Sequence, residues 1–125
     1  MEKIKQLGIW MDHSIAFLMD ATNDSIVQST IVSEFTHDDK KFGLMKDEKR
    51  MHIKRQHMQS GYYKKLSDAI LKFQQVLLFG PTEAKNELLN LLKTHHLFEN
   101  IKIEVKHADK MTENQMHAFV REYFK

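Results

Sequence analysis

Between Lys46 and Lys65 the chain gathers Lys49, Arg50, Lys54, Arg55, Lys64 and Lys65, with Gln59, Ser60, Tyr62 and Tyr63 set among them. Lysine and arginine at this density suit phosphate, whose counterions they displace. A tyrosine ring such as that of Tyr62 offers a platform for a base, whereas Tyr63 is expected in the core. This is the chemistry of nucleic-acid contact. The net charge of +2 conceals its concentration. From Thr36 to Lys65 there are nine basic and four acidic residues, a local balance of +5, and the remainder of the chain carries −3. Such an asymmetry is an electrostatic footprint for phosphate. A solvated loop kept soluble by its charge accounts for the same residues, and the residues alone leave both readings open.

Other chemistries find less support. A two-metal nuclease needs carboxylates that converge. Asp12, Asp20, Asp68 and Asp109 are the candidates, but Asp12 and Asp20 read as turn residues and no pair has a spacing that compels a metal. The eight histidines include His52 and His57, five apart, and His95-His96, placed to complement a helix C-terminus. His13 and His117 are expected to be solvated. No metal or cofactor site emerges. "FGPTEAKN" puts one glycine before a helix without the Gly-Lys-Ser/Thr of a phosphate loop, so it reads as a strand-to-helix turn. With no cysteine in the chain, disulfides and thiolate chemistry are excluded and a reducing compartment fits. No Gly-x-Ser-x-Gly or Ser/His/Asp arrangement can be assigned. The eight methionines read as gap-filling core residues.

The elements that must hold these residues follow from the hydrophobic pattern. A chain of 125 residues suits one domain, spanning 1–125. "QLGIWM", "SIAFLMD" and "SIVQSTIVSEF" read as three strands joined by turns at Asp12-His13 and "TNDS", an antiparallel meander. Ile9, Met11, Ile15, Phe17 and Met19 show the period of two of half-buried strands. The segment from about 36 to 58 has no period and is expected to be a mobile basic loop. Tyr63, Leu66, Ala69, Ile70 and Phe73 predict a helix over Gln59 to Gln74, with Lys64, Lys65, Asp68 and Lys72 on its wet side. "QVLLFG" is an unbroken apolar run, as in a parallel strand buried on both faces. A second helix follows, with Pro81 and Thr82 at its start and Ala84, Leu88, Leu91 and Leu92 as its buried stripe. "IKIEV" alternates and reads as an edge or half-exposed strand. Thr112 and Gln115 form a capping box for a last helix lined by Met116, Phe119, Val120 and Tyr123. The order β-β-β-α-β-α-β-α predicts an α/β fold: a ribonuclease-H-like mixed five-stranded sheet, three antiparallel strands then βαβα, with three helices.

In that order and in three stretches the chain resembles the central domain of the archaeal and eukaryotic peptide-chain release factors, of their ribosome-rescue relative Pelota, and of their small bacterial relatives. The stretches are the strand meander, the basic loop and helix "KRQHMQSGYYKKLSDAI", and "VLLFGPTEAKNELLNLL" followed by "IKIEVKHADKMTENQM". In the release factors the basic loop carries Gly-Gly-Gln, whose Gln positions water against the ester of peptidyl-tRNA. The resemblance puts Gln59 on that Gln, Ser60 on the Ser after it, and His57-Met58 in place of the two glycines. Paired glycines reach positive φ without cost and let a backbone approach RNA closely. His57 and Met58 meet a steric penalty there and bring bulk. The resemblance therefore implies an RNA-facing surface without the hydrolase.

The expected function is a non-catalytic ribosome- or tRNA-associated RNA-binding protein that uses Lys49, Arg50, Lys54, Arg55, Gln59, Tyr62, Lys64 and Lys65. Two alternatives stand beside it: a protein-interaction or scaffold domain that kept the fold without RNA binding, and a metal-dependent nuclease. The ribosome or tRNA is the expected partner, and a homodimer is compatible with the sequence. Apolar runs of four or five residues are far short of a membrane span, and the N-terminus lacks a signal-peptide core, so a cytoplasmic location is expected.

Overall fold

The structure, a computed structural model, describes residues 4–33 and 61–125. The expected basic loop at 36–58 lies outside the described residues. Strands β1 (Gln6–Met11), β2 (Ile15–Asp20) and β3 (Val27–Val32) form the meander. Helix α1 covers residues 61–70, followed by β4 (Gln75–Gly80), α2 (Ala84–Lys93), a 3-10 turn (His96–Phe98), β5 (Lys102–His107) and α3 (Glu113–Tyr123). The sheet order is β3-β2-β1-β4-β5. β1 pairs antiparallel with β2 and β2 with β3, whereas β1–β4 and β4–β5 are parallel. This is the mixed five-stranded, ribonuclease-H-like arrangement expected from the sequence.

Two apolar layers sandwich the sheet. On one face Leu7, Ile9, Met11, Ala16 and Leu18 meet Tyr62, Tyr63, Leu66 and Ile70 of α1 and Ala84, Leu88 and Leu92 of α2. On the other, Trp10, Met19, Leu77 and Phe79 meet Met116 and Val120 of α3. The two faces correct the reading of the first strands. β1 is buried from Leu7 to Met11 and is central, with β2 on one side and β4 on the other. Ile9 and Met11 face α1 and α2, whereas Ile15, Phe17 and Met19 belong to the α3 layer. The hairpin register explains this, since Trp10 rather than Ile9 lies opposite Phe17. A period of two fixes alternation within one strand but not which residues of consecutive strands share a face.

Close approach of α3 to the sheet depends on Gly8, where a Cβ would run into the branched side chain of Val120. At the far end of β4, Gly80 adopts φ +150°, and a Cβ there would strike the Met11 carbonyl. Only glycine takes that backbone without strain. It lets the chain leave β4 beside the end of β1 and turn into α2.

Helix ends differ in detail from the sequence reading. α1 stops at residue 70 rather than at Gln74. Its last turn tightens, with Lys72 N donating to Ala69 O and Phe73 N to Ile70 O, and Gln74 N then donates to Lys5 O at 3.0 Å. The pairing of Gln74 with Lys5 starts the β1–β4 ladder and ends the helix. In α2 the N-cap is Glu83, which makes no side-chain cap. The Thr82 hydroxyl instead accepts from Ala84 N at 3.2 Å. The buried stripe holds Lys85 rather than Leu91, which is 39% exposed. Lys85 folds back on its stem to donate to Thr82 O at 2.5 Å, so an ammonium sits where the apolar period did not predict one. The α3 capping box is as expected. Gln115 N donates to the Thr112 hydroxyl at 3.2 Å, and Thr112 N donates to Gln115 Oε1 at 2.8 Å. No helix among the described residues is long and apolar enough to cross a membrane.

Candidate nucleic-acid interface

The parallel strands β1 and β4 end on one edge of the sheet, where the β1–β2 turn and the starts of α1 and α2 also lie. The turn is built by Asp12. Its Oδ1 accepts from Ser14 N at 2.7 Å and from Ile15 N at 2.9 Å, the self-capping that places aspartate in tight turns. Two further bonds tie other elements to this turn. Ser33 N, just past β3, donates to Ser14 O at 2.8 Å. The Tyr62 hydroxyl, one residue into α1, donates to Asp12 O at 3.0 Å. Ser33 and Gly61 flank the segment that holds Lys49, Arg50, Lys54 and Arg55, so the described residues on both sides of it are fixed to the three-residue turn Asp12–Ser14.

Tyr63 makes a second anchor. Its hydroxyl donates to Glu87 Oε1 of α2 at 2.6 Å, and His13 Nε2 lies 3.2 and 3.3 Å from the two oxygens of the same carboxylate. Burial of Glu87 pushes its carboxyl upward, but the hydrogen bonds from Tyr63 and His13, with the charge of His13, outweigh it and hold the group below its ordinary value. Burial, reinforced by the neighbouring Asp12, raises the Tyr62 phenol well above the tyrosine range. Burial and then the Glu87 bond do the same for Tyr63. Both phenols are therefore donors at any neutral pH. One turn and two helices are thus joined through four side chains, and the end of β3 is joined to the same turn through a backbone bond.

The tyrosine assignments change accordingly. Tyr63 is core, as expected. Tyr62 is also core, 2% exposed, with its ring 5.6 Å from that of Tyr63. Its faces are taken by protein, and it is not a stacking platform in this conformation. The sequence signal was available: Tyr62 precedes Leu66 and Ile70 by four and eight residues, on the stripe that became buried. Lys64 and Lys65 are exposed on α1, as predicted. Lys49, Arg50, Lys54, Arg55 and Gln59 lie outside the described residues, as do Ser60, His57, Met58 and His52.

Among the described residues the candidate acids do not assemble into a nuclease centre. β1 and β2 are antiparallel, so Asp12 and Asp20 lie at opposite ends of the sheet. Asp20 caps its own turn, accepting from Thr22 N at 3.0 Å. Asp109 is almost wholly exposed, with His107 Nε2 3.3 Å from its Oδ1. Among the described residues no three ligating side chains converge. Two histidines are less solvated than their sequence positions suggested: His13 is bound to Glu87, and His117 Nε2 sits 2.6 Å from Gln28 Oε1, bridging α3 to β3. Sequence reasoning missed Glu87 altogether, because an acid in the first turn of a helix is ordinary and its partners lie 24 and 74 residues away.

Neither a protein-family model nor a curated protein sequence matches the chain. Solved structures do. The chain is similar to Pelota of Archaeoglobus fulgidus, whose structure is described as revealing inter-domain structural plasticity, with a TM-score of 0.61 at 10% identity over 97% of this chain. It is equally similar to Pelota of Thermoplasma acidophilum, with a TM-score of 0.61 at 12% identity over 95% of the chain. It spans 32% of the length of each. At this identity the likeness establishes a shared fold with one region of Pelota.

Proposed function

We propose that the chain is a non-catalytic RNA-binding domain that docks on the ribosome or on tRNA, related in role to translation termination and rescue factors. The observation that carries the proposal is the double tether of Ser33 and Tyr62 to the Asp12–Ser14 turn. It fixes Ser33 and Tyr62, the described residues on either side of the stretch that carries Lys49, Arg50, Lys54, Arg55 and Gln59, to one strand-end edge of the sheet near the exposed Lys64 and Lys65, and this supports the reading. The fold shared with Pelota and the resemblance of "KRQHMQSGYYKKLSDAI" to the release-factor tip support the same reading. The basic residues contact phosphates, Gln59 contributes polar contact, and His57-Met58 in place of two glycines leaves the segment without the release chemistry. Tyr62 and Tyr63 hold the base of this surface and do not touch RNA.

Co-sedimentation with ribosomes tests the proposal. The native chain is expected in the ribosomal fractions of a low-salt gradient and free of them at high salt. Lys54→Glu/Arg55→Glu is expected to shift it to the free fraction at low salt, and Lys64→Glu/Lys65→Glu to weaken binding in the same direction. Sedimentation unchanged by both double substitutions would overturn the proposal.

A further inference from the structure

The two edges of the sheet are unlike. β5 carries Lys102, Glu104, Lys106 and His107 within six residues, the charged pattern that deters edge pairing. β3, with the sequence VQSTIV, carries no charge, no proline and no glycine. Among the described residues it has β2 on one side and no strand on the other. Alternate backbone N–H and C=O groups on that side point away from the sheet. Val27 is 66% exposed and Val32 55%, which is costly apolar surface on a strand that pairs with β2 along its whole length.

We propose that the outer edge of β3 pairs antiparallel with the same edge of a second copy of this chain, in the register that sets Ser29 opposite the partner's Ser29. The argument is one of symmetry. A two-fold axis that continues a sheet across an antiparallel seam stands perpendicular to it and preserves its faces. Only residues of one face can then stand opposite each other, so registers are allowed in steps of one residue at the axis and are few. Centred on Ser29, Val27 meets the partner's Ile31 on the α1–α2 face, and Gln28 meets the partner's Thr30 on the α3 face. Val32 meets the partner's Ile26 just beyond the strand. Every apolar residue faces an apolar residue, every polar one a polar one, and no charge is opposed. Centring on Gln28 sets Val27 against Ser29 and Ile26 against Thr30. Centring on Thr30 sets Ile31 against Ser29 and Val32 against Gln28. Only the Ser29 register matches along its length, and it covers both exposed valines. That self-match points to a second copy rather than to a strand of another protein, which would need no such pattern. Six paired residues bury less than the roughly 1,200–2,000 Å² of a stable interface, so the dimer is weak and concentration-dependent.

The test uses the full chain. In sedimentation velocity over a concentration series, the mass is expected to rise from the 14.8 kDa of one protomer toward that of two. The chain has no cysteine, so Ser29→Cys supplies a single thiol. Directly opposed residues lie about 4.5–5.5 Å apart at Cα, within disulfide reach, and the variant is expected to form a covalent dimer under mild oxidation. Thr30→Cys, two residues out of register with its own copy, lies beyond that reach and is expected to link roughly tenfold more slowly or worse. Ser29→Lys, at an exposed position, sets two ammonium groups face to face and is expected to weaken association by roughly tenfold or more, with an unchanged circular-dichroism spectrum. A single-protomer mass at every concentration overturns the proposal and leaves the edge to a strand of another protein. Equal linking by the two cysteine variants, or dimerisation of Ser29→Lys at the native level, overturns the register.

Discussion

Glu87 shows how a single carboxylate holds the candidate interface together. It accepts from Tyr63 and pairs with His13, and its folded-state pKa is lowered. A lowered pKa means that the unfolded chain takes up the proton more readily. The stabilisation is then present above the unfolded value near 4.5 and is lost as pH falls through the folded one. Glu87→Gln keeps an acceptor for Tyr63 but removes the charge. The native protein is expected to be the more stable at pH 6 to 7, and the difference is expected to close as pH is taken below 4. Half of the Glu87 side chain is exposed, so solvent screening limits the effect to about 1 kcal/mol or less. Denaturant unfolding of both proteins at a series of pH values checks the sign. A gap that widens toward acid pH would assign the stabilisation to another group. Of these residues the sequence made legible only the ones whose role is local. Asp12 announces a turn and Thr112 with Gln115 announces a cap, because donor and acceptor lie within three residues. The Tyr63–Glu87–His13 cluster spans three elements, and nothing in the local pattern marks its members as partners.

At the scale of elements the apolar pattern carried most of the information. β4 was readable as a doubly buried parallel strand because it has no polar interruption between Val76 and Phe79, and β5 was readable as an edge or half-exposed strand because it alternates; the sheet order makes it an edge. β1 was not, since its residues could be sorted onto faces only once the hairpin register with β2 was known. The same limit hid the role of Gly8, whose missing side chain leaves room for Val120 of α3. Gly8→Ala adds a methyl group against Val120, a β-branched side chain that cannot swing aside without disturbing its own helix turn. Overpacking of this kind costs about 1–3 kcal/mol. Thr112→Ala, which removes the α3 cap at an exposed position, is expected to cost about 1 kcal/mol. Thermal unfolding of the two variants separates the contributions. Gly8→Ala is expected to lower the melting temperature at least as far as Thr112→Ala, and an unchanged melting temperature for Gly8→Ala would mean that α3 does not sit as close to β1 as the structure places it.

For the whole molecule, charge is divided unevenly: residues 36–65 carry +5 and the remainder −3, and the exposed Lys64 and Lys65 of α1 lie near the strand-end edge that bears the Asp12–Ser14 turn. If that edge binds RNA through phosphates, affinity must fall with salt in proportion to the contacts made. Each phosphate neutralised contributes about −0.7 to the slope of log K against log salt on a single strand and about −0.9 on a duplex. The six basic residues Lys49, Arg50, Lys54, Arg55, Lys64 and Lys65 therefore set an upper bound near −5 for their joint contribution. Replacing Lys64 and Lys65 by Ala is expected to make the slope shallower by about 1.5, because both side chains are exposed on α1 and neither supports the core. Replacing Tyr62 by Phe is expected to leave the slope unchanged, because its hydroxyl is spent on Asp12 and its ring is buried. It weakens the tether of α1 instead, so its effect appears in stability, at about 1 kcal/mol, and in affinity only through the position of the basic segment. Salt titrations of an RNA oligonucleotide by fluorescence anisotropy distinguish the two kinds of residue. A slope that Lys64→Ala/Lys65→Ala leaves untouched would remove α1 from the interface, and a slope near zero for the native chain would remove phosphate recognition from it altogether.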